Sequence, residues 1–582
     1  MKPGKSLGNN RLRLLLIWVI MMAGGSGLLL NLYRLQVSEA SSLEEKARRQ
    51  QMVSMRPFIP RRPIVDRKGN VLAIDRPVYT LYAHPKLFKK SLQEIAALLG
   101  PMIKKTPTDL EELFGKRKSG IRLGNTIPEA IADQIARFNL DGLELIRQYS
   151  RFYPQNELAS DVVGYVNIFD HRGQAGLEYT QEKFLEREVR NIRLSRAGNG
   201  ALMPGHVPEG FMHLDDLRLQ LTIDTRLQRA ARSALKETIK KFNAERGSII
   251  VMNVHNGSLL ALVCEPTYNP NQYSKFDVSL FKNWALSDLY EPGSTFKPLN
   301  VAIALETGII TAQTLFNDTG KIQIGQWPIL NHDYKSVGAR GMINPTKILQ
   351  HSSNVGMVRM IRKMKPEVYY DWLEKLGLKQ KVGIELPAET AGQLKSKHKF
   401  KVSPIEPATA SFGQGFSLTP IQLTQMLAAL ANGGKLVTPH VVRGLFDTKG
   451  NPHWQPRRPL PRRVFSPNTT QTVLEMMETV VTNGSGKASR IPGYRIGGKT
   501  GTAQKASPTG GYYSDAKITS FVGILPVESP RYVILGVVDE PQGNAFGSTV
   551  AAPLVKSVIE ALITIEQIPP SSYTPSSYNF RQ

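Results

Sequence analysis

At 582 residues the chain has room for two or three folded domains with at least one sizeable core, and its 41% hydrophobic and 21% charged content excludes wholesale disorder. The formal net charge of +26 would suit nucleic acid, but Lys and Arg are scattered, with no zinc-ligand cluster or aromatic RNA-reading motif beside them. Nucleic acid is therefore not an expected partner. The single cysteine, Cys264, excludes an intrachain disulfide framework, and its apolar setting reads as a buried structural thiol.

In chain order, the first feature is the apolar run 14–33, which contains no Asp, Glu, Lys or Arg. A helix needs roughly twenty residues to cross a bilayer, whereas a signal-peptide core has about 7–15. The run is therefore expected to be a retained transmembrane anchor behind a short tail, 1–13. Lys2, Lys5, Arg11 and Arg13 precede it and Arg34, Lys46, Arg48 and Arg49 follow it, so charge alone does not orient it. Residues 39–51 read as a helical stalk. From 55 to 214 short strand-like runs alternate with helical patterns rich in arginine, without a catalytic constellation. An elongated pedestal is expected over 34–215, closing near the loop-like glycines Gly198, Gly200 and Gly205.

A second domain is expected over 216–566. Residues 219–223 read as a strand and 225–244 as a helix. Apolar strands follow at 248–254 and 258–263, joined across Asn256-Gly257, a hairpin signal because both residues tolerate positive φ. A further strand pair is expected at 518–525 and 532–538, with helices between, among them 297–307, ended by Gly308. Strands at both ends with helices in the middle imply an α+β fold, an antiparallel sheet assembled from distant segments and covered by helices. The Pro- and Ser-rich residues 567–582 are expected to be a mobile tail.

Chemistry concentrates in three places. In Glu291-Pro292-Gly293-Ser294-Thr295-Phe296-Lys297 a serine and a lysine lie three apart at a helix entry. There the helix dipole and burial would lower the lysine pKa and free an amine to take the serine proton. The bare spacing is common: Ser233/Lys236, Ser279/Lys282, Ser396/Lys399 and Ser514/Lys517 share it. What distinguishes Ser294 is its context and two companions downstream. In Ser352-Ser353-Asn354 a hydroxyl and a carboxamide can converge on one site, although alone this is also the pattern of a polar turn. In Gly498-Lys499-Thr500-Gly501-Thr502-Ala503 the small residues let a substrate backbone pair along a strand edge. Lys499 adds positive charge, and Thr500 and Thr502 add hydroxyls for a carboxylate.

This order of Ser-x-x-Lys, Ser-x-Asn and Lys-Thr-Gly resembles the penicillin-binding proteins and serine β-lactamases. Leu221-Thr222-Ile223-Asp224, Pro266-Thr267-Tyr268-Asn269-Pro270-Asn271, Gly413-Gln414-Gly415 and Thr419-Pro420 point the same way. The first third resembles the monofunctional class B transpeptidases. The matching segments are 61–73 with Asp66, Arg67 and Gly69, Arg151-Phe152-Tyr153-Pro154 with Gly164-Tyr165, and 173–179 with Gly176 and Glu178. Departures from the family pattern fall at Arg62, at Asp161, and at Asn156, a tolerable left-handed substitute for glycine. Changing the pedestal positions Arg62, Asp66 or Arg151 is expected to leave penicillin acylation normal and to impair division. Tyr290-Glu291-Pro292-Gly293 and Asn354 resemble the division type.

The resemblance implies a peptidoglycan D,D-transpeptidase of septal wall synthesis, a target of β-lactams, with no cofactor or metal. Ser294 would attack the carbonyl between the two D-alanines of a donor stem peptide, with Lys297 as base. Ser352 would relay the proton and Asn354 would hold a substrate amide. The backbone N–H groups of Ser294 and Thr502 would form the oxyanion hole, and Lys499, Thr500, Gly501 and Thr502 would bind the donor. By analogy a membrane glycosyltransferase and other division proteins are partners. A single pass through the bacterial inner (plasma) membrane is implied, N-terminus cytoplasmic and catalytic domain outside. The alternatives are an elongation-type transpeptidase, a D,D-carboxypeptidase or β-lactamase-like hydrolase, and a non-catalytic division scaffold. Slow release of a trapped penicillin ester separates the transpeptidase from a β-lactamase.

Overall fold

The computed structural model describes residues 8–55, 59–187, 192–196, 202–203, 214–506 and 511–571. Residues 1–7 of the expected tail 1–13, residues 572–582 of the expected tail 567–582, and Gly198, Gly200 and Gly205 lie outside the described residues. Two compact units are present, Met1–Ile59 with Arg187–Asp215 and Pro60–Glu186 with Asp216–Gln582.

In the first unit the helix Gly8–Tyr33 runs through a π turn, Arg34–Ser38, into the helix Ala40–Gln51. The stretch Arg11–Ser38 is long and apolar enough to cross a membrane. Leu14, Trp18, Leu28 and Leu30 all face outward. Met52–Met55 pairs with Ile192–Arg196, which pairs in turn with Leu202–Met203.

The second unit opens with antiparallel strands. Val71–Ala83 pairs with both Ile121–Pro128 and Leu143–Phe152. Helices Leu92–Ile103 and Pro107–Lys116 close a core around Leu81, Ile95, Leu99, Leu110 and Phe114. The charged residues of the first-third motifs turn inward. Arg151 donates from Nε to Glu178 Oε1 at 2.6 Å and from its guanidinium to Asp75 Oδ1 at 3.1 Å. Arg62 donates to the carbonyls of Phe184 and Glu186. Asp66, fully buried, accepts from the N–H and hydroxyl of Thr225 and from the N–H groups of Lys68 and Asn70. A charge in a dry interior is tolerated only when paired, so Asp66 and Arg151 are committed to internal partners, while Arg62 stays partly exposed. Asn156 does occupy the left-handed region, at φ 49°. Ile64–Val65 lies parallel to Arg218–Leu221, and Arg232 bridges Asp161 and Glu265, which ties 60–186 into the same body as 216–582.

Beyond residue 216 the unit is built around one sheet. Helix α1 (Thr225–Phe242) is capped by the Asp224 side chain and stopped by Asn243 in the left-handed region. Strands β1 (Arg246–Asn253) and β2 (Leu259–Glu265) form the expected hairpin, with Gly257 at φ 82°. Helix α2 (Lys297–Glu306), helix α3 (Asn354–Ile361), strands β3 (Gly497–Ala506), β4 (Tyr512–Leu525) and β5 (Tyr532–Asp539), and helix α4 (Ala551–Glu566) follow. The strand order is β2–β1–β5–β4–β3, every neighbour antiparallel, with β3 on the edge. Along β1, Ile249 and Val251 pack with residues of α1 and α4, whereas Ile250 and Met252 pack into the cluster that includes α2. The alternation is the period of two of a strand buried on both faces. Cys264 is buried and unpaired, as a structural thiol should be, and burial raises its pKa.

Candidate active site

The site forms where the edge strand β3, the turn before α2 and the start of α3 meet. Gly293, at φ 55°, makes the left-handed step that glycine allows, and the Thr295 hydroxyl tightens the turn by donating to the Pro292 carbonyl at 2.6 Å. Ser294 therefore sits in a 3-10 turn, Gly293–Phe296, and Lys297 begins α2. Gly501 lets β3 approach this turn closely: a Cβ there would lie 2.4 Å from Ser520 Oγ and 2.9 Å from Thr295 Cγ2.

Behind the serine, two amines converge on one hydroxyl. Lys297 Nζ donates to the Ser352 carbonyl at 2.6 Å, to Asn354 Oδ1 at 2.7 Å and to Ser352 Oγ at 3.3 Å. Lys499 Nζ donates to the same Ser352 Oγ and to the Thr500 carbonyl, each at 3.0 Å. Ser352 holds φ 57°, an uncommon conformation for a non-glycine residue, of the kind that clusters at functional sites. Both lysines are completely buried. Burial pushes the Lys297 amine well below the usual lysine range and the like charge of Lys499 adds to this, while Asp318 and Asp333 oppose it. Burial brings Lys499 down to about 7.

In front of them lies a cavity of 340 Å³ lined by Ser294, Ser352, Asn354, Thr500 and Thr502, with Lys297, Lys499 and Gly501 behind the lining. Ser233, Ser279 and Ser396 are not part of its wall. Ser396 instead caps a short helix, accepting from the Lys399 N–H. A larger cavity of 760 Å³ opens beside Glu291 but contains none of the motif hydroxyls. Glu291 accepts from the Gly415 N–H at 3.0 Å and the Tyr512 hydroxyl at 2.9 Å, which ties the Gly413-Gln414-Gly415 segment to the serine turn.

Several wall residues carry no sequence signal of their own. Ser485 places its hydroxyl 2.8 Å from Thr500 Oγ1, and its only hint is flanking by Gly484 and Gly486. His332, Phe412, Phe546 and Ser548 also line the wall, beside Gly293 and Gln414 of the segments read from the sequence. Thr502 Oγ1 accepts from the Gly547 N–H at 2.9 Å. Among the described residues one group of carboxylates is close enough to hold a metal, Glu245, Asp539 and Glu540. The Lys505 ammonium already fills its centre, at 3.0, 3.2 and 2.6 Å from the three.

Residues 247–560 match the penicillin-binding protein transpeptidase domain, and residues 59–190 match the penicillin-binding protein dimerisation domain. The chain is 43% identical to a peptidoglycan D,D-transpeptidase FtsI homolog of Mesostigma viride, over 96% of each chain. It is 31% identical to the peptidoglycan D,D-transpeptidase FtsI of Escherichia coli strain K12, over 89% of this chain and 85% of the relative. Its fold is similar to a crystal structure of penicillin-binding protein 3 from Mycobacterium tuberculosis complexed with aztreonam. The TM-score is 0.67 at 26% identity, covering 88% of this chain and 98% of the other. Since the match extends over both regions and the three motifs converge on one cleft, the chain belongs to the FtsI-type penicillin-binding proteins, a transpeptidase domain preceded by a dimerisation domain.

Proposed function

We propose that the protein is a serine-type peptidoglycan D,D-transpeptidase of septal wall synthesis, acting through a Ser294 acyl-enzyme. The observation that carries this reading is the convergence of the buried Lys297 and Lys499 amines on Ser352 Oγ, directly behind the cleft that Ser294 lines. An amine whose pKa is pushed down by burial is available in its neutral, proton-accepting form.

Ser294 Oγ attacks the carbonyl carbon between the two D-alanines while Lys297 takes its proton. The C–N bond then breaks, and the leaving D-alanine nitrogen receives that proton through the Ser352 hydroxyl. An amine of a second stem peptide attacks the ester, its proton passes to Lys297, and Ser294 Oγ regains one as it leaves. The N–H groups of Ser294 and Thr502 hold the oxyanion, each worth roughly 3–4 kcal/mol of barrier. Asn354 donates one Nδ2 proton to the Leu330 carbonyl, at 2.9 Å, and keeps the second for a substrate carbonyl. Thr500 and Thr502 receive the donor carboxylate, Gly501 lets their strand lie close against the Ser294 turn, and Lys499 supplies charge from behind. β-Lactams acylate the same serine.

The N-terminal helix anchors the protein in the plasma membrane, N-terminus inside, with the catalytic region outside among its stem-peptide substrates. A membrane glycosyltransferase supplies fresh strands, by family analogy. The test is intact-mass and peptide mapping after incubation with penicillin. One adduct is expected, on Ser294, absent in Ser294→Ala and released slowly. An adduct on any other serine, or rapid turnover of the drug, defeats the reading.

A further inference from the structure

The turn carrying Ser352 and Asn354 is held by two residues outside every motif. Asn331, 3% exposed, accepts at Oδ1 from the N–H groups of Asn354 at 2.8 Å and Val355 at 3.1 Å, and from the Ser353 hydroxyl at 3.3 Å. These N–H groups open α3 and have no acceptor within the helix. Ser353 Oγ takes the next, from Gly356, at 2.8 Å. On its other side Asn331 Nδ2 donates to both oxygens of Asp318, at 2.8 and 3.0 Å. Asp318 is completely buried and also accepts from the Gly320 N–H at 2.9 Å. A carboxylate can only accept, so Asp318 fixes the Asn331 amide with its nitrogen inward and its oxygen on the first turn of α3. The arrangement starts α3 in one place and sets Asn354 Oδ1 and the Ser352 carbonyl where the Lys297 amine meets them.

Asp318 also differs from the other charges near Lys297. Lys499 faces the amine from β3, and Asp333 and His332 face it from the segment after Asn331. Asp333 is paired with Arg340. The side-chain hydrogen-bond partners of Asp318 are neutral, and it connects to the Lys297 amine through Asn331 and Asn354.

We propose that Asp318 and Asn331 are positioning residues for acylation: the Asn331 amide sets the pose of the 352–354 turn, and the Asp318 carboxylate tunes the Lys297 amine. The proposal rests on the assignment of acylation to Ser294 and Lys297. A negative neighbour favours the protonated amine. Removing it therefore enlarges the neutral fraction at a given pH and moves the acidic limb of the acylation profile downward.

The experiment uses the full chain in detergent as wild type, Asn331→Ala, Asp318→Asn and Ser294→Ala. Second-order acylation by a fluorescent penicillin is measured from pH 5 to 9, with a thermal melt of each variant. Asn331→Ala is expected to acylate about 10²-fold more slowly at every pH, the scale of a misplacement of about 1 Å. Asp318→Asn is expected to shift the acidic limb to lower pH. A wild-type rate in folded Asn331→Ala overturns the positioning role, and an unmoved limb in folded Asp318→Asn overturns the tuning role. If neither variant folds, the pair is structural only and the proposal is likewise overturned. Absence of label from Ser294 in the wild type defeats the underlying site assignment instead, which Ser294→Ala makes distinguishable.

Discussion

Replacing Lys499 with methionine, an unbranched apolar residue of similar length, should make the protein more stable at neutral pH while impairing acylation. Lys499 is 0% exposed, and burial takes its amine from 10.5 to about 7. Between those values the unfolded chain holds the proton that the folded protein gives up, so stability rises with pH across that window. At about 1.4 kcal/mol per pKa unit, a shift of roughly 10.5 − 7 = 3.5 units means the charged amine costs about 5 kcal/mol at and below pH 7. The cost disappears above about pH 10.5. Methionine carries no such cost but gives up the hydrogen bonds to Ser352 Oγ and the Thr500 carbonyl, about 1 kcal/mol each. A lead of roughly 3 kcal/mol should remain at pH 7, shrinking by about 2–3 kcal/mol between pH 7.5 and 9.5. Loss of the Lys499 charge also relieves the depression of the Lys297 pKa, which adds to the lead at the acidic end. The assay is the urea midpoint of the full chain at pH 6.5, 7.5, 8.5 and 9.5, with penicillin acylation measured in parallel. Parallel pH dependences of the two proteins, or a variant less stable than wild type at neutral pH, would refute the reasoning.

Lys297→Ala should fold and lose about 10²–10⁴-fold in acylation, the range of a general base; a loss of only a few-fold would make the lysine structural and leave Ser352 to take the proton unaided. Thr500→Val, which removes the hydroxyl beside Ser485, should slow donors bearing a free terminal carboxylate more than amidated donors. Equal losses on both would show that this strand does not read the carboxylate. Arg151→Met leaves the buried Asp75 and Glu178 carboxylates short of a cation and should cost roughly 3–5 kcal/mol, read as a lower unfolding midpoint with acylation retained in the folded fraction. An unchanged midpoint would show that Arg61 compensates Glu178 alone.

The sequence by itself determined those features whose cause is local. The long apolar helix follows from an uninterrupted apolar run, the β1–β2 hairpin from Asn256-Gly257, and the extent of α1 from its Asp224 cap and apolar stripe. The three motifs could be ordered along the chain because each is a short pattern of residue types. What only the tertiary structure decided depends on residues far apart in sequence. Arg62, Asp66 and Arg151 stand out in the sequence only as members of short motif segments. Folding places Glu178 against Arg151 and Thr225 against Asp66 in a dry interior, and the Phe184 and Glu186 carbonyls against the partly exposed Arg62. The convergence of Lys297 and Lys499 on Ser352 joins segments 55 and 147 residues away from it, and the clamp of Asp318 and Asn331 belongs to no motif. The depressed amines follow the same logic. A helix entry can be read from a pattern, but burial, which dominates both shifts, exists only once the sheet and its helices have closed around the lysines.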